Sequence, residues 1–140
     1  MIGALDISTS ALVAQRVRLN AISGNIANIS TLKDENGQAS PYQARFTVFQ
    51  TDETLAESRG APGVKVASVE SSEAEPLYRY QPDHPLAIRE GQWAGYVAYP
   101  NINLNEQMVD ALEATRSYEA NVGVIEITKN IGRQSLSIIA

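Results

Sequence analysis

All six prolines of this 140-residue chain fall between residues 33 and 102, and the two proline-free ends repeat their apolar residues with helical spacing. Proline removes a backbone donor and clashes with the preceding turn, so long helices belong at the chain ends and not between them. In the first stretch Leu5, Leu12, Leu19 and Ile26 recur every seven residues, with Ser8, Gln15, Ile22 and Ile29 three residues after each. That stripe is half polar at its start and wholly apolar at its end, which suits a narrow seam between helices. Ser8 or Ser10 is a candidate cap, and Asn28 to Thr31 marks the frayed end.

The last stretch has the stronger pattern. Leu104, Met108, Ala111, Thr115, Tyr118, Val122, Ile125, Lys129, Gly132, Leu136 and Ile139 follow alternating steps of four and three. A second line through Ala120, Val124, Ile127, Ile131 and Ile138 widens the apolar face beyond one seam, so this helix has more than one neighbour to meet. Asn103 or Asn105 is placed to cap it, and Glu106 and Asp110 sit in the early turns, where the helix dipole favours negative charge. The spacing predicts about 35 helical residues, roughly 50 Å long.

Between the ends, residues 43–49 and 63–69 are β-leaning and partly alternating, and residues 77–80 and 96–99 are shorter strand candidates. Turn signals separate them at residues 34–37, 60–63, 81–85 and 100–101. The expected fold class is α+β. The helices of residues 1–32 and 103–140 pack as one discontinuous, coiled-coil-like helical domain, and residues 33–102 form a small β-rich region.

Composition narrows function by exclusion. The chain has no cysteine and one histidine, His84, which removes disulfides, thiolate chemistry and multi-histidine metal sites. A net charge of −5 argues against nucleic-acid binding, which needs a basic face for phosphates. No run approaches the roughly 20 apolar residues of a membrane span. The first basic residue is Arg16, so no cleavable signal peptide is expected. No cofactor is expected either.

The remaining chemical candidates have plain structural readings. His84 lies between two prolines and beside Asp83, where a turn residue is the better reading than a general base, because sequence neighbours seldom take relay geometry. Glu70, Glu73 and Glu75 lack calcium-loop spacing and read as a solvated acidic loop. Residues 60–63 lack the lysine and helix start of a phosphate cradle and read as a turn. Asn20, Asn25, Asn28 and Asn121 sit in helical segments although asparagine is a poor helix former. Surface tolerance and buried amides that fix helix register both remain open for them.

About ten large apolar side chains line the two helical faces, worth roughly 15–30 kcal/mol if buried. Ordering the backbone costs on the order of 1–2 kcal/mol per residue. Helices at opposite chain ends, with about 70 residues between them, are therefore expected to be loose alone and to lock together on assembly.

Residues 19–31, Leu-Asn-Ala-Ile-Ser-Gly-Asn-Ile-Ala-Asn-Ile-Ser-Thr, resemble the N-terminal signature of bacterial flagellar rod and hook proteins, with Asn25, Asn28 and Thr31 as its fixed points. Asp83–Pro85 and the Gly-Tyr-Val-Ala-Tyr-Pro-Asn-Ile-Asn run of residues 95–103 resemble the proximal rod members of that family, through Tyr96, Pro100, Asn101 and Asn103. Residues 106–109 and 114–122 continue the likeness, through Arg116, Tyr118 and Asn121. Ile29–Ser30, the long stretch from residue 86 to 94 and the weakly basic residues 43–50 depart from the family pattern.

The resemblance implies a non-enzymatic subunit of the proximal rod of the flagellar basal body, exported by the flagellar type III apparatus and polymerised across the periplasm to transmit torque. Implied partners are copies of itself, other proximal rod proteins, the membrane-embedded base (MS) ring and the distal rod. The expected packing positions are Leu5, Leu12, Leu19, Ile22, Ile26, Ile29, Met108, Tyr118, Val122, Ile125 and Leu136. Two alternatives stand beside it: another axial family member, or a small soluble binder or enzyme with His84 and Trp93 in a pocket.

Overall fold

The computed structural model describes residues 2–139, apart from the side chains of residues 2, 58 and 59. Its elements, in order, are α1 (Ile2–Ala27), β1 (Arg45–Asp52), α2 (Glu53–Arg59), β2 (Gly63–Ser71), β3 (Leu77–Tyr80), β4 (Tyr96–Tyr99) and α3 (Leu104–Ile139). The two terminal helices pack side by side. Arg18 of α1 meets Asp110 and Glu113 of α3, while Asn25 meets Gln107, so the helices run antiparallel. Extending that pairing, the start of α1 lies level with about residue 130 of α3, and the last nine or so residues of α3 project beyond it, by roughly 13 Å at 1.5 Å per residue.

α1 begins at residue 2, earlier than a cap at Ser8 or Ser10 allows. Both serines lie inside the helix. Ser8 is buried, and the Ser10 hydroxyl donates back to the Ile7 carbonyl at 2.7 Å. α3 does start at a cap, because the Asn103 carboxamide oxygen accepts the Asn105 N–H at 3.0 Å.

β1 and β2 form an antiparallel hairpin along α1. The Ser10 hydroxyl accepts the Val64 N–H at 3.1 Å near one end, and Asn25 holds Arg45 at the other. β1 therefore runs against α1, covering about 23 Å of strand on about 22 Å of helix. Gly63 permits this close approach: a Cβ there would strike Leu55 and sit 2.8 Å from Ser10 Oγ. The hairpin connection contains α2, which no sequence pattern announced. Asp52 caps it by accepting the Thr54 N–H, and Gly60 ends it in the left-handed region at φ 83°. Ala67 is the extra residue in β2, since the register steps from Val48–Ser68 to Phe49–Val66.

β3 and β4 form a second antiparallel pair. The stretch between them folds back on itself, with Ile88 bonded to both Gly95 and Tyr96. Its length carries the Trp93 ring onto Tyr78, stacked at a centroid distance of 4.2 Å. Val97 lies at the centre of this lobe, in a nucleus where Leu32, Pro41, Leu86 and Ile88 line a cavity of about 100 Å³.

Among the described residues the buried apolar set is small: Ala14, Ile22, Val97, Ile102 and Ala114. In the helices most of it is alanine. Small side chains let α1 and α3 approach closely, but they remove little apolar area from water.

Candidate assembly surface

Asn25 is the junction of the helices and the hairpin. It is 2% exposed. Its amide nitrogen donates to the Arg45 carbonyl and to Gln107 Oε1, both at 2.8 Å, and its oxygen accepts the Arg45 N–H at 2.7 Å. The side chain thus pairs with one residue of β1 as a neighbouring strand would, while reaching α3 with its second proton. The Tyr42 hydroxyl donates to the same oxygen at 3.4 Å.

The rest of the N-terminal signature closes α1. Asn28 donates its amide to the Gly24 carbonyl at 2.9 Å, and the Thr31 hydroxyl donates to Asn28 Oδ1 at 3.0 Å. Tyr42 N–H then bonds the Thr31 carbonyl. Register-fixing therefore describes Asn25. Asn20 is exposed, Asn28 finishes its own helix, and Asn121 donates to the Ser117 carbonyl within α3.

In the second signature Asn101 donates to the Glu75 carbonyl at 3.0 Å, Pro100 is buried and Asn103 caps α3. Tyr96 meets Trp93 and Tyr80 edge-on. Arg116 is exposed. The chemical candidates take quiet places: His84 Nδ1 accepts the Leu86 N–H at 3.1 Å within its turn, Glu70, Glu73 and Glu75 are exposed, and Trp93 packs on Tyr78.

The packing positions divide by exposure. Ile22 is buried; Leu5, Leu12, Leu19, Ile26, Ile29, Val122 and Ile125 are half-buried. Met108, at 59%, and Leu136, at 68%, face solvent within this chain, and Tyr118 lies at the edge of exposure. The face of α3 turned to α1 is instead small and polar, centred on Ala114, with Gln107 reaching Asn25. Sequence reasoning missed Arg18 and Gln107, which are polar and lie one position off the apolar stripes. It also passed over Val109 and Leu112, which lie off the four-three line.

α3 is the greasiest surface of the molecule. Leu104, Met108, Val109, Leu112, Val124, Ile127, Ile131, Leu136, Ile138 and Ile139 are all exposed. The chain has 9655 Å² of accessible surface. A folded monomer of this mass should expose about 7100 Å². The excess, roughly 2500 Å², reflects an extended shape in which the end of α3 projects past α1.

Residues 5–32 match the family described as Flagella basal body rod protein, and residues 94–138 match Flagellar basal body rod FlgEFG protein C-terminal. The flagellar basal-body rod protein FlgC of Borreliella burgdorferi is 35% identical, with 99% of this chain and 97% of the relative covered. FlgC of Salmonella typhimurium is 38% identical over the same shares. FlgC of Bacillus subtilis is 34% identical, with 96% and 95% covered. The likeness runs through both helices and the strands between them, and on that evidence the chain belongs to the FlgC family of flagellar basal-body rod proteins, structural and non-enzymatic subunits that assemble with other rod components.

Proposed function

We propose that this chain is a proximal rod subunit that polymerises through its terminal helices, taken as one discontinuous helical unit, and passes motor torque along the rod. The observation that carries this reading is the unspent apolar surface of α3: exposed apolar side chains of this size and number mark a face that contacts another protein. Different faces of one subunit meeting different faces of the next produce open, rod-like assemblies. Leu5, Leu12, Leu19, Ile22, Ile26, Ile29, Met108, Tyr118, Val122, Ile125 and Leu136 are the packing residues in this reading.

The partners are copies of the chain, the other proximal rod proteins, the MS ring below and the distal rod beyond. The subunit reaches the periplasmic rod through the flagellar type III apparatus without signal cleavage. The small buried apolar set among the described residues and the lack of cysteine suit such passage.

The test is a deletion strain carrying Leu19→Asp or Val122→Asp, with basal bodies purified and imaged. The reading expects wild-type expression with rod growth arrested at the proximal segment and no swimming. Normal rods and motility with both changes would defeat it.

A further inference from the structure

Asn36 is the one asparagine of the chain that precedes glycine; Asn25, Asn28, Asn101 and Asn130 precede isoleucine, and Asn121 precedes valine. The difference is chemical. An asparagine carboxamide is open to attack by the backbone nitrogen of the residue that follows. A β-branched neighbour shields that nitrogen, whereas glycine leaves it bare. Asn36 and Gly37 are both exposed, and no atom beyond the chain neighbours lies within 4 Å of where a Gly37 Cβ would stand.

The local fold works against the reaction. Residues 34–38 form a tight turn in which Gly37 takes the left-handed conformation, at φ 77°. The Gly37 N–H donates to the Asp34 carbonyl at 3.0 Å, so the nitrogen that must attack is already engaged. One oxygen of the Asp34 carboxylate accepts the Asn36 and Gln38 N–H groups, at 2.9 and 2.8 Å. The Asp34 N–H closes the turn on the Gln38 carbonyl at 3.0 Å. Asp34 thus makes four hydrogen bonds across the turn, two of them through its side chain.

We propose that Asn36–Gly37 is a self-modifying site and that Asp34 holds it shut while the chain is folded. When the turn opens, the Gly37 nitrogen gives up its proton and attacks Asn36 Cγ. The new C–N bond forms as the carboxamide nitrogen leaves with that proton as ammonia, and a five-membered imide remains. Water then opens the imide at either carbonyl, giving aspartate or isoaspartate at position 36. The sum is amide plus water to carboxylic acid plus ammonia, with no electron transferred. Either product adds a negative charge next to Glu35, and isoaspartate also lengthens the backbone by a methylene. The turn joins Leu32 and Lys33 to Ala39 and Pro41. Leu32, Ala39 and Pro41 line the cavity beside Val97, so a change at Asn36 reaches the β3–β4 lobe.

The test incubates the full-length chain at mildly alkaline pH, native and in concentrated urea. Mass spectrometry of the proteolytic fragment holding residue 36 follows the conversion, and an isoaspartyl methyltransferase identifies the isomer. In urea Asn36 should convert while Asn25, Asn28 and Asn101 stay intact; an intact Asn36 there would overturn the site. The native chain should convert at least about tenfold more slowly than the unfolded chain, since opening must break several hydrogen bonds. Equal rates would overturn the guard. Asp34→Ala removes two of those bonds and should speed native conversion at least about fivefold, with the rate in urea unchanged. Asp34→Asn keeps an acceptor at the same place and should stay within about twofold of the wild-type rate. Asp34→Ala with wild-type helical content and no acceleration, or Asp34→Asn as fast as Asp34→Ala, would overturn the part assigned to the Asp34 side chain.

Discussion

Replacing Asn25 by alanine removes the hydrogen bonds that join α1 to β1 and α3. The lost contacts are two with the Arg45 backbone, at 2.7 and 2.8 Å, and one with Gln107 at 2.8 Å. Each is worth about 1 kcal/mol net, and a partner stranded away from water adds to the loss. Asn25→Ala should therefore cost about 3 kcal/mol, a change of roughly 150-fold in the folded-to-unfolded ratio. With a urea dependence of about 2 kcal/mol per molar, the midpoint falls by about 1.5 M. Circular dichroism at 222 nm during urea titration reads this directly, with Asn20→Ala as the comparison. Asn20 is exposed, and its replacement should leave the chain unchanged or slightly firmer, by about 0.5 kcal/mol, through helix propensity alone. A midpoint shift below about 0.3 M for Asn25→Ala would refute the view that this amide is the junction of the fold.

Gly63→Val should cost about 1–3 kcal/mol in the same titration, because the new side chain overlaps Ser10 and Leu55 and displaces the hairpin from α1. Gly123→Ala should do the opposite, adding about 0.5–1 kcal/mol, since nothing lies within 4 Å of a Cβ there and alanine is the better helix former. Arg18→Ala should change stability by only about 0.5 kcal/mol, because its pairs with Asp110 and Glu113, at 3.8 and 3.3 Å, are partly solvated; raising the salt should erase the difference. His84→Ala should leave swimming close to wild type, whereas an enzyme relying on that imidazole would lose its activity.

Both long helices were legible because their signal is cumulative: proline is absent from the ends, and apolar residues recur over many turns. The strands at residues 77–80 and 96–99 were found to the residue, since turn chemistry brackets each of them. α2 was not legible. Glu53–Arg59 is shorter than the window in which periodicity speaks, and its existence depends on Asp52 and Gly60 capping it in place. The start of α1 was misplaced because Ser8 and Ser10, good caps in isolation, serve packing and the hairpin instead.

The apolar lines of α3 were visible in the sequence, but not which line faces α1. A line through Met108 and Leu136 is the greasier option, yet the structure turns Ala114 inward and leaves Met108 outside, while Leu136 lies on the projecting end beyond α1. Periodicity records that a face is apolar. Which partner covers it depends on side-chain size, because close helix contact favours the small residues. Asn25 carried no unambiguous mark of its own, for burial and three good bonds are properties of the folded surroundings.

Hydroxyl-radical footprinting of Met108, Leu112 and Leu136, compared between the isolated chain and purified basal bodies, bears most directly on the claim that rod neighbours cover α3. All three side chains should label readily in the isolated chain, in keeping with their exposure, and at least about fivefold less in the basal body. Equal labelling in both states would contradict the account.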